Sequence, residues 1–193
     1  MSKPRVFVAV LAAGSSRRFG KDDKLAARFR GKRLGEHICD NAPIDRIAAG
    51  SAVVIASRTD HPCREAWEKA GFQIALNARA QGGMGTSVAL AALLAQKWDC
   101  DALLIALADM PLVPRAHLVA LIEACRTGAD AVCSTDGKTR TPPAIFGRDH
   151  MAALARLNED VGARALLEDA KTLACPPDRL IDIDTPEALR RYS

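Results

Sequence analysis

Seven consecutive apolar residues, Ala102–Ala108 (ALLIALA), stop abruptly at Asp109-Met110-Pro111. A strand that is apolar at every position wets one face unless both are covered, so this run demands the middle of a sheet with other elements on both sides. Val6–Val10 (VFVAV) reads as a second strand of this kind and Ala52–Ser57 (AVVIAS) as a third. Segments of helical composition lie between them. His61–Ala70 is closed by Gly71, and a helix from Thr86 or Ser87 to about Lys97 has an apolar face of Val88, Ala91, Ala92 and Ala95. Pro114–Thr127 begins with a proline and ends before Gly128. Shorter strands are predicted at Phe72–Leu76, Ala129–Ser134, Ala144–Phe146 and Leu180–Ile183, and helices at Asp149–Leu157, Gly162–Ala170 and from Thr185-Pro186 onward. Leu25–Arg33 reads as a short helix or a loop. The alternation implies an α/β fold with a mostly parallel sheet. A length of 193 residues without linker or repeat predicts a single domain over 1–193.

Ligands of such sheets bind beyond the carboxyl ends of the strands. The first apolar run feeds into Leu11–Lys24, LAAGSSRRFGKDDK. Gly14 and Gly20 permit a tight turn and close approach of backbone to a ligand. Ser15 and Ser16 add hydroxyl donors, and Arg17, Arg18, Lys21 and Lys24 surround the turn with positive charge. Such a turn suits a polyphosphate, although a surface turn with solvated charges has the same composition. It is not a Walker A loop, because five residues rather than four separate Gly14 from Gly20-Lys21 and Asp22 stands where Ser or Thr should follow, and it is not GxGxxG either. The glycine-rich turn Asn77–Gly85 and the carboxylate of Asp109 are two further polar strand ends. Asp109 is a turn residue before Pro111 or, beside a phosphate loop, a Mg²⁺ ligand. Asp182 and Asp184 offer a second carboxylate, although Asp184 could instead cap the helix that begins at Pro186, a role Thr185 could equally fill.

The net charge of +4 is mild and local: Arg17–Arg33 holds eight Lys and Arg against Asp22 and Asp23. That favours small anions over a nucleic-acid stripe, which would interleave aromatics; only Phe19 and Phe29 lie nearby. The six cysteines have neither CxxC nor zinc spacing, and the four histidines form no ligand pattern. No stretch approaches a membrane span. Lys3 and Arg5 before VFVAVLAA mimic a secretory leader, but cleavage near Ala13 would destroy the glycine turn. A reducing cytoplasm is expected.

The successive segments LAAGSSRRFGKDDKL, NARAQGGMGTSV, LADMP, PPAIF, VGAR and DIDTPEAL resemble, in order and spacing, the motifs of MobA-like nucleotidyltransferases, closest to the molybdenum cofactor cytidylyltransferases. The resemblance runs from about Val6 to Leu189. It implies a three-layer α/β/α Rossmann-like nucleotidyltransferase fold and transfer of NMP from an NTP to a phosphorylated acceptor with Mg²⁺. On the matching positions, Leu11, Ala13, Gly14, Ser15, Ser16 and Lys24 would hold the nucleotide, joined by Gly83, Met84 and Ser87 near base and ribose. Arg18, Lys24 and Asp109 would be catalytic, Asp109 and Asp184 would hold the metal, and Arg164 and Asp182 the acceptor. The implied partners are CTP or another NTP, a molybdopterin-type acceptor, and a molybdoenzyme or its maturation factor. The chain departs from the pattern at Glu159-Asp160, in the basic stretch after Lys24 and at Thr141-Pro142-Pro143, all on the acceptor side. Another phosphorylated acceptor, or a non-catalytic molybdenum cofactor binder, are the alternatives. The guanylyl-transferring branch typically has Gly where Ala13 stands, so a preference for CTP over GTP is expected.

Overall fold

The computed structural model of the chain describes residues 4–14, 19, 23–158 and 167–193. The three apolar runs form adjacent parallel strands, β1 (Val6–Ala12), β4 (Ala52–Ala56) and β6 (Ala102–Leu107), and every residue in them is buried. A small antiparallel pair, β2 (Arg28–Phe29) and β3 (Lys32–Arg33), lies between β1 and β4 in sequence. Strands β5 (Gln73–Leu76), β7 (Ala131–Thr135), β8 (Arg140–Gly147) and β9 (Lys171–Ala174) complete a seven-stranded sheet ordered β5-β4-β1-β6-β8-β7-β9. Strand β8 runs antiparallel to both β6 and β7, and the remaining pairs are parallel. The sheet is therefore mostly parallel, with helices against it, as expected.

The helices are α1 (His37–Asn41), α2 (Arg64–Lys69), α3 (Met84–Lys97), α4 (Arg115–Ala124) and α5 (Met151–Leu154), followed by Pro186–Tyr192 at the end of the chain. Helix α3 packs on β1, β4 and β6. Its buried face is Val88, Ala91, Ala92 and Ala95, whose small side chains let the helix lie close to the strands. All six cysteines are unpaired and buried. Among the described residues no helix is long and apolar enough to cross a membrane.

Several sequence expectations shift. Helix α3 begins at Met84, two residues before Thr86, because Gly83 with φ 93° turns the chain into it. Leu25–Arg33 becomes a 3₁₀ turn, Lys24–Ala26, and the small β2–β3 pair. Helices α2 and α4 are shorter than their composition suggests, and Asp149–Leu157 splits into a 3₁₀ turn and the four-residue α5. Strand β8 spans eight residues rather than Ala144–Phe146 alone. Leu180–Ile183 is not a strand: Ile183 is fully buried, and its N–H donates to the Asp109 carbonyl at 3.0 Å, but no ladder forms. The last strand is instead β9, nine residues earlier. Most of the expected helix Gly162–Ala170 lies outside the described residues.

Candidate active site

The parallel register brings the carboxyl ends of β1, β4, β5 and β6 to one edge. The Ala108 N–H donates to the Leu11 carbonyl at 3.0 Å, so the turn carrying Asp109 is tied beside the Ala13-Gly14 turn. The buried Ile183, bonded to Asp109, brings its neighbours Asp182 and Asp184 to the same place. One oxygen from each of Asp109, Asp182 and Asp184 lies within 4.8 Å of the others.

Lys24 projects into this cluster. Its Nζ donates to Asp109 Oδ2 at 2.6 Å and to Asp184 Oδ1 at 2.6 Å, and lies 3.8 Å from Asp182 Oδ1. The Lys24 side chain is 9% exposed, and those of Asp109 and Asp184 are 22% and 24% exposed. Burial alone would push the ammonium down. The charge of Asp109 and the hydrogen bonds to Asp109 and Asp184 outweigh it and hold the pKa above the ordinary lysine value. The carboxyl of Asp182 moves the other way: desolvation by its neighbours, then the charge of Asp109, raises it to about 7. One ammonium among three carboxylates leaves net negative charge, and Asp109 Oδ1 is buried with no hydrogen-bond partner.

Those observations test whether a divalent metal fits. Mg²⁺ takes hard oxygen ligands, commonly one or two carboxylates together with substrate phosphate oxygens. Three clustered carboxylates with an unpartnered buried oxygen and residual negative charge meet that need. Asp109 and Asp184, the two residues expected to hold the metal, stand together, and Asp182, expected on the acceptor, joins them.

The described residues expected to hold the nucleotide lie at the end of β1 and at the start of α3, with Lys24 in the cluster itself. Leu11 and Ala13 are buried, whereas Gly14 is exposed and a Cβ there would meet nothing within 4 Å. No packing within the described chain demands glycine at 14, so its value is open backbone that a ligand can approach. At the end of β5, the Asn77 side-chain amide donates to Thr86 Oγ1 and Ser87 Oγ, each at 2.9 Å, and pins the first turn of α3. Ser87 is thus buried with its hydroxyl engaged, while Met84 is 44% exposed at the start of the helix. Ser15, Ser16, Arg18 and Arg164 lie outside the described residues.

Sequence reasoning missed the groups beneath Lys24. Asp23 caps the Lys24–Ala26 turn, its Oδ1 accepting from the Leu25 N–H at 3.0 Å. Its Oδ2 lies 3.0 Å from both Arg58 Nη2 and His61 Nε2. His61, with help from Arg58 and the Leu25 N–H, outweighs desolvation and holds the Asp23 carboxyl down at about 2. No spacing signal announces this cluster, since Arg58 and His61 come from the loop after β4.

A family model described as a MobA-like NTP transferase domain matches residues 8–174. The purine catabolism protein PucB of Bacillus subtilis (strain 168) is 32% identical over 202 residues, covering 97% of this chain and 95% of that protein. A molybdenum cofactor guanylyltransferase of Shewanella frigidimarina (strain NCIMB 400) is 24% identical, covering 95% and 93%. Among solved structures, a nucleotidyl transferase from Methanothermobacter thermautotroptrophicus has the same fold, with a TM-score of 0.79 at 18% identity over 97% of this chain and 95% of the other.

Proposed function

The chain belongs to the MobA-like NTP transferase family, and we propose that this nucleotidyltransferase moves CMP from CTP to the phosphate of a molybdopterin-type acceptor, with Mg²⁺, releasing pyrophosphate. The observation that carries the reading is Lys24 set among Asp109, Asp182 and Asp184 beside the open Gly14 turn. A cation and a metal-competent carboxylate set at one strand edge are what transfer between two anions requires.

In the reaction an oxygen of the acceptor phosphate attacks the α-phosphorus of the nucleotide. A new P–O–P linkage forms, the bond from the α-phosphorus to the bridging oxygen breaks, and pyrophosphate leaves with that electron pair. A phosphate monoester is already largely dianionic near neutrality, its second pKa being about 6, so no side chain need take a proton. The chain's part is to position and neutralise. Lys24, with its pKa held high, stays charged throughout and meets phosphate oxygens that enter the cluster. Asp109 and Asp184, with Asp182 beside them, would hold Mg²⁺, which supplies charge neutralisation to the reacting phosphates when bound. The exposed Gly14 backbone and the Gly83–Ser87 turn receive the nucleotide, with Ser15, Ser16 and Arg18 on its phosphates and Arg164 on the acceptor.

The choice of cytosine rests on Ala13 in place of glycine. A second reading, guanine, is favoured by relatives named molybdenum cofactor guanylyltransferase, whose names support the same acceptor. The deciding experiment compares kcat/KM for CTP and GTP with one molybdopterin acceptor and Mg²⁺. Preference for CTP supports the proposal; preference for GTP replaces the base and keeps the transfer. Absence of acceptor-dependent pyrophosphate release with any NTP removes both.

A further inference from the structure

We propose that Asp23, Arg58 and His61 form a positioning element for Lys24, an inference that rests on the reading of Lys24 as the lysine of the transfer site. A lysine side chain is long and flexible, so where its ammonium sits depends on the backbone that carries it. Here that backbone is a three-residue 3₁₀ turn, too short to hold its own shape. It is clamped from outside. One oxygen of Asp23 caps the turn through the Leu25 N–H, while the other lies 3.0 Å from both Arg58 and His61. The Leu25 carbonyl accepts from Cys63 Sγ at 3.3 Å.

The clamp is anchored in the core. The His61 side chain is 4% exposed and stacks on Trp67, with ring centroids 4.5 Å apart. His61 Nδ1 accepts from the Cys63 N–H at 3.1 Å, and its buried Nε2, which makes no hydrogen bond, lies 3.0 Å from the Asp23 Oδ2 that accepts from Arg58. Trp67 is itself fully buried, and its indole N–H donates to the Gly35 carbonyl at 2.8 Å. Burying a histidine against an ionised carboxylate costs free energy that only their attraction and the surrounding hydrogen bonds offset. What this pair fixes is the residue immediately before Lys24. The loop after β4 therefore sets the height and direction from which Lys24 reaches three carboxylates contributed from far along the chain. Misplacing a charge by about 1 Å can cost on the order of a hundredfold in rate.

The test uses the full chain with Arg58→Gln, His61→Gln and Asp23→Asn, each alone and combined with Lys24→Gln. The proposal expects each single variant to lower kcat by roughly ten- to a hundredfold with the nucleotide KM unchanged, and to add no further loss when Lys24 is already Gln. Losses that multiply in the Lys24→Gln background overturn it, because the cluster would then act without the lysine. A second readout needs no turnover: the rate at which an amine-acylating reagent modifies Lys24, located by peptide mass spectrometry. Arg58→Gln, at a half-exposed side chain that the fold tolerates losing, should raise the Lys24 rate several-fold and leave exposed Lys69 unchanged. An unchanged Lys24 rate overturns the proposal. Failure of the wild type to release pyrophosphate would instead sink the functional reading, and the labelling result would still decide the positioning role.

Discussion

Replacing Lys24 with methionine keeps the length and apolar stem of the side chain and removes only the ammonium. In the structure that ammonium makes two charge-assisted hydrogen bonds of 2.6 Å to carboxylates that are about three-quarters buried. Hydrogen bonds to charged groups contribute about 1.5–3 kcal/mol each. Removing one partner of a fully buried ion pair costs about 3–5 kcal/mol. Asp109 and Asp184 retain some solvent contact, which relieves part of this, so we expect about 2–4 kcal/mol at neutral pH. For a chain of this size that corresponds to a fall in Tm of roughly 5–12 °C. The pKa of Lys24 is raised, so its contribution is full below the ordinary lysine value of 10.5 and is lost as pH rises through the higher folded value. The wild-type contribution is therefore constant across neutrality. In the variant, acid should narrow the deficit, because protonating the stranded carboxylates removes their repulsion. Urea unfolding of both proteins at neutral and mildly acidic pH measures this directly. A neutral-pH cost below about 0.5 kcal/mol, the range of ordinary surface substitutions, would refute the idea that Lys24 neutralises a desolvated cluster.

Asp109→Asn should lower turnover by about a hundredfold or more, because the amide brings no charge to a metal whose contribution is several kcal/mol; steady-state rates at saturating Mg²⁺ check this. Ala13→Gly should relax the preference for CTP over GTP by roughly ten- to a hundredfold, since one methyl group distinguishes by about 1–3 kcal/mol; paired kcat/KM values measure it. With the carboxyl of Asp182 raised to about 7, the folded chain binds more protons than the unfolded chain between that value and the ordinary 3.8. The contribution of Asp182 to metal-free stability should therefore fall as pH rises through this window, opposed by His37 and His117, whose burial lowers their pKa values and acts the other way. Mg²⁺ affinity should rise over the same range, by up to about tenfold per pH unit below 7 and then level off. Calorimetric titration of Mg²⁺ across the window would show it.

The central strands were legible because continuous apolar runs have few alternatives: β4 and β6 were readable in full and β1 as far as Val10, Leu11 and Ala12 having been assigned to the glycine turn. Strand β9 was not, since Lys171–Ala174 lies at the sheet edge with three of four residues exposed and carries no apolar run. Leu180–Ile183 misled for the opposite reason. Its apolar residues meet the need to bury Ile183 beside Asp109, a packing demand that imitates a strand. Prolines 142 and 143 hid the first half of β8. At the site, Asp109, Asp182 and Asp184 could each be singled out as strand-end carboxylates. Their meeting on Lys24, across 85 and 160 residues for Asp109 and Asp184, is a product of strand order and was not legible. The clamp of Asp23, Arg58 and His61 left no local pattern, because its members are joined only by the tertiary placement of the loop after β4.

The most direct test of the account follows the label from CTP bearing ³²P at the α-phosphate, incubated with the protein, Mg²⁺ and a molybdopterin-type phosphate acceptor. The account predicts that the label moves onto the acceptor, with one pyrophosphate released per label transferred, and that Asp109→Asn and Lys24→Met both suppress the transfer. Label that stays in CTP, or appears only as free CMP whether or not acceptor is present, would contradict it.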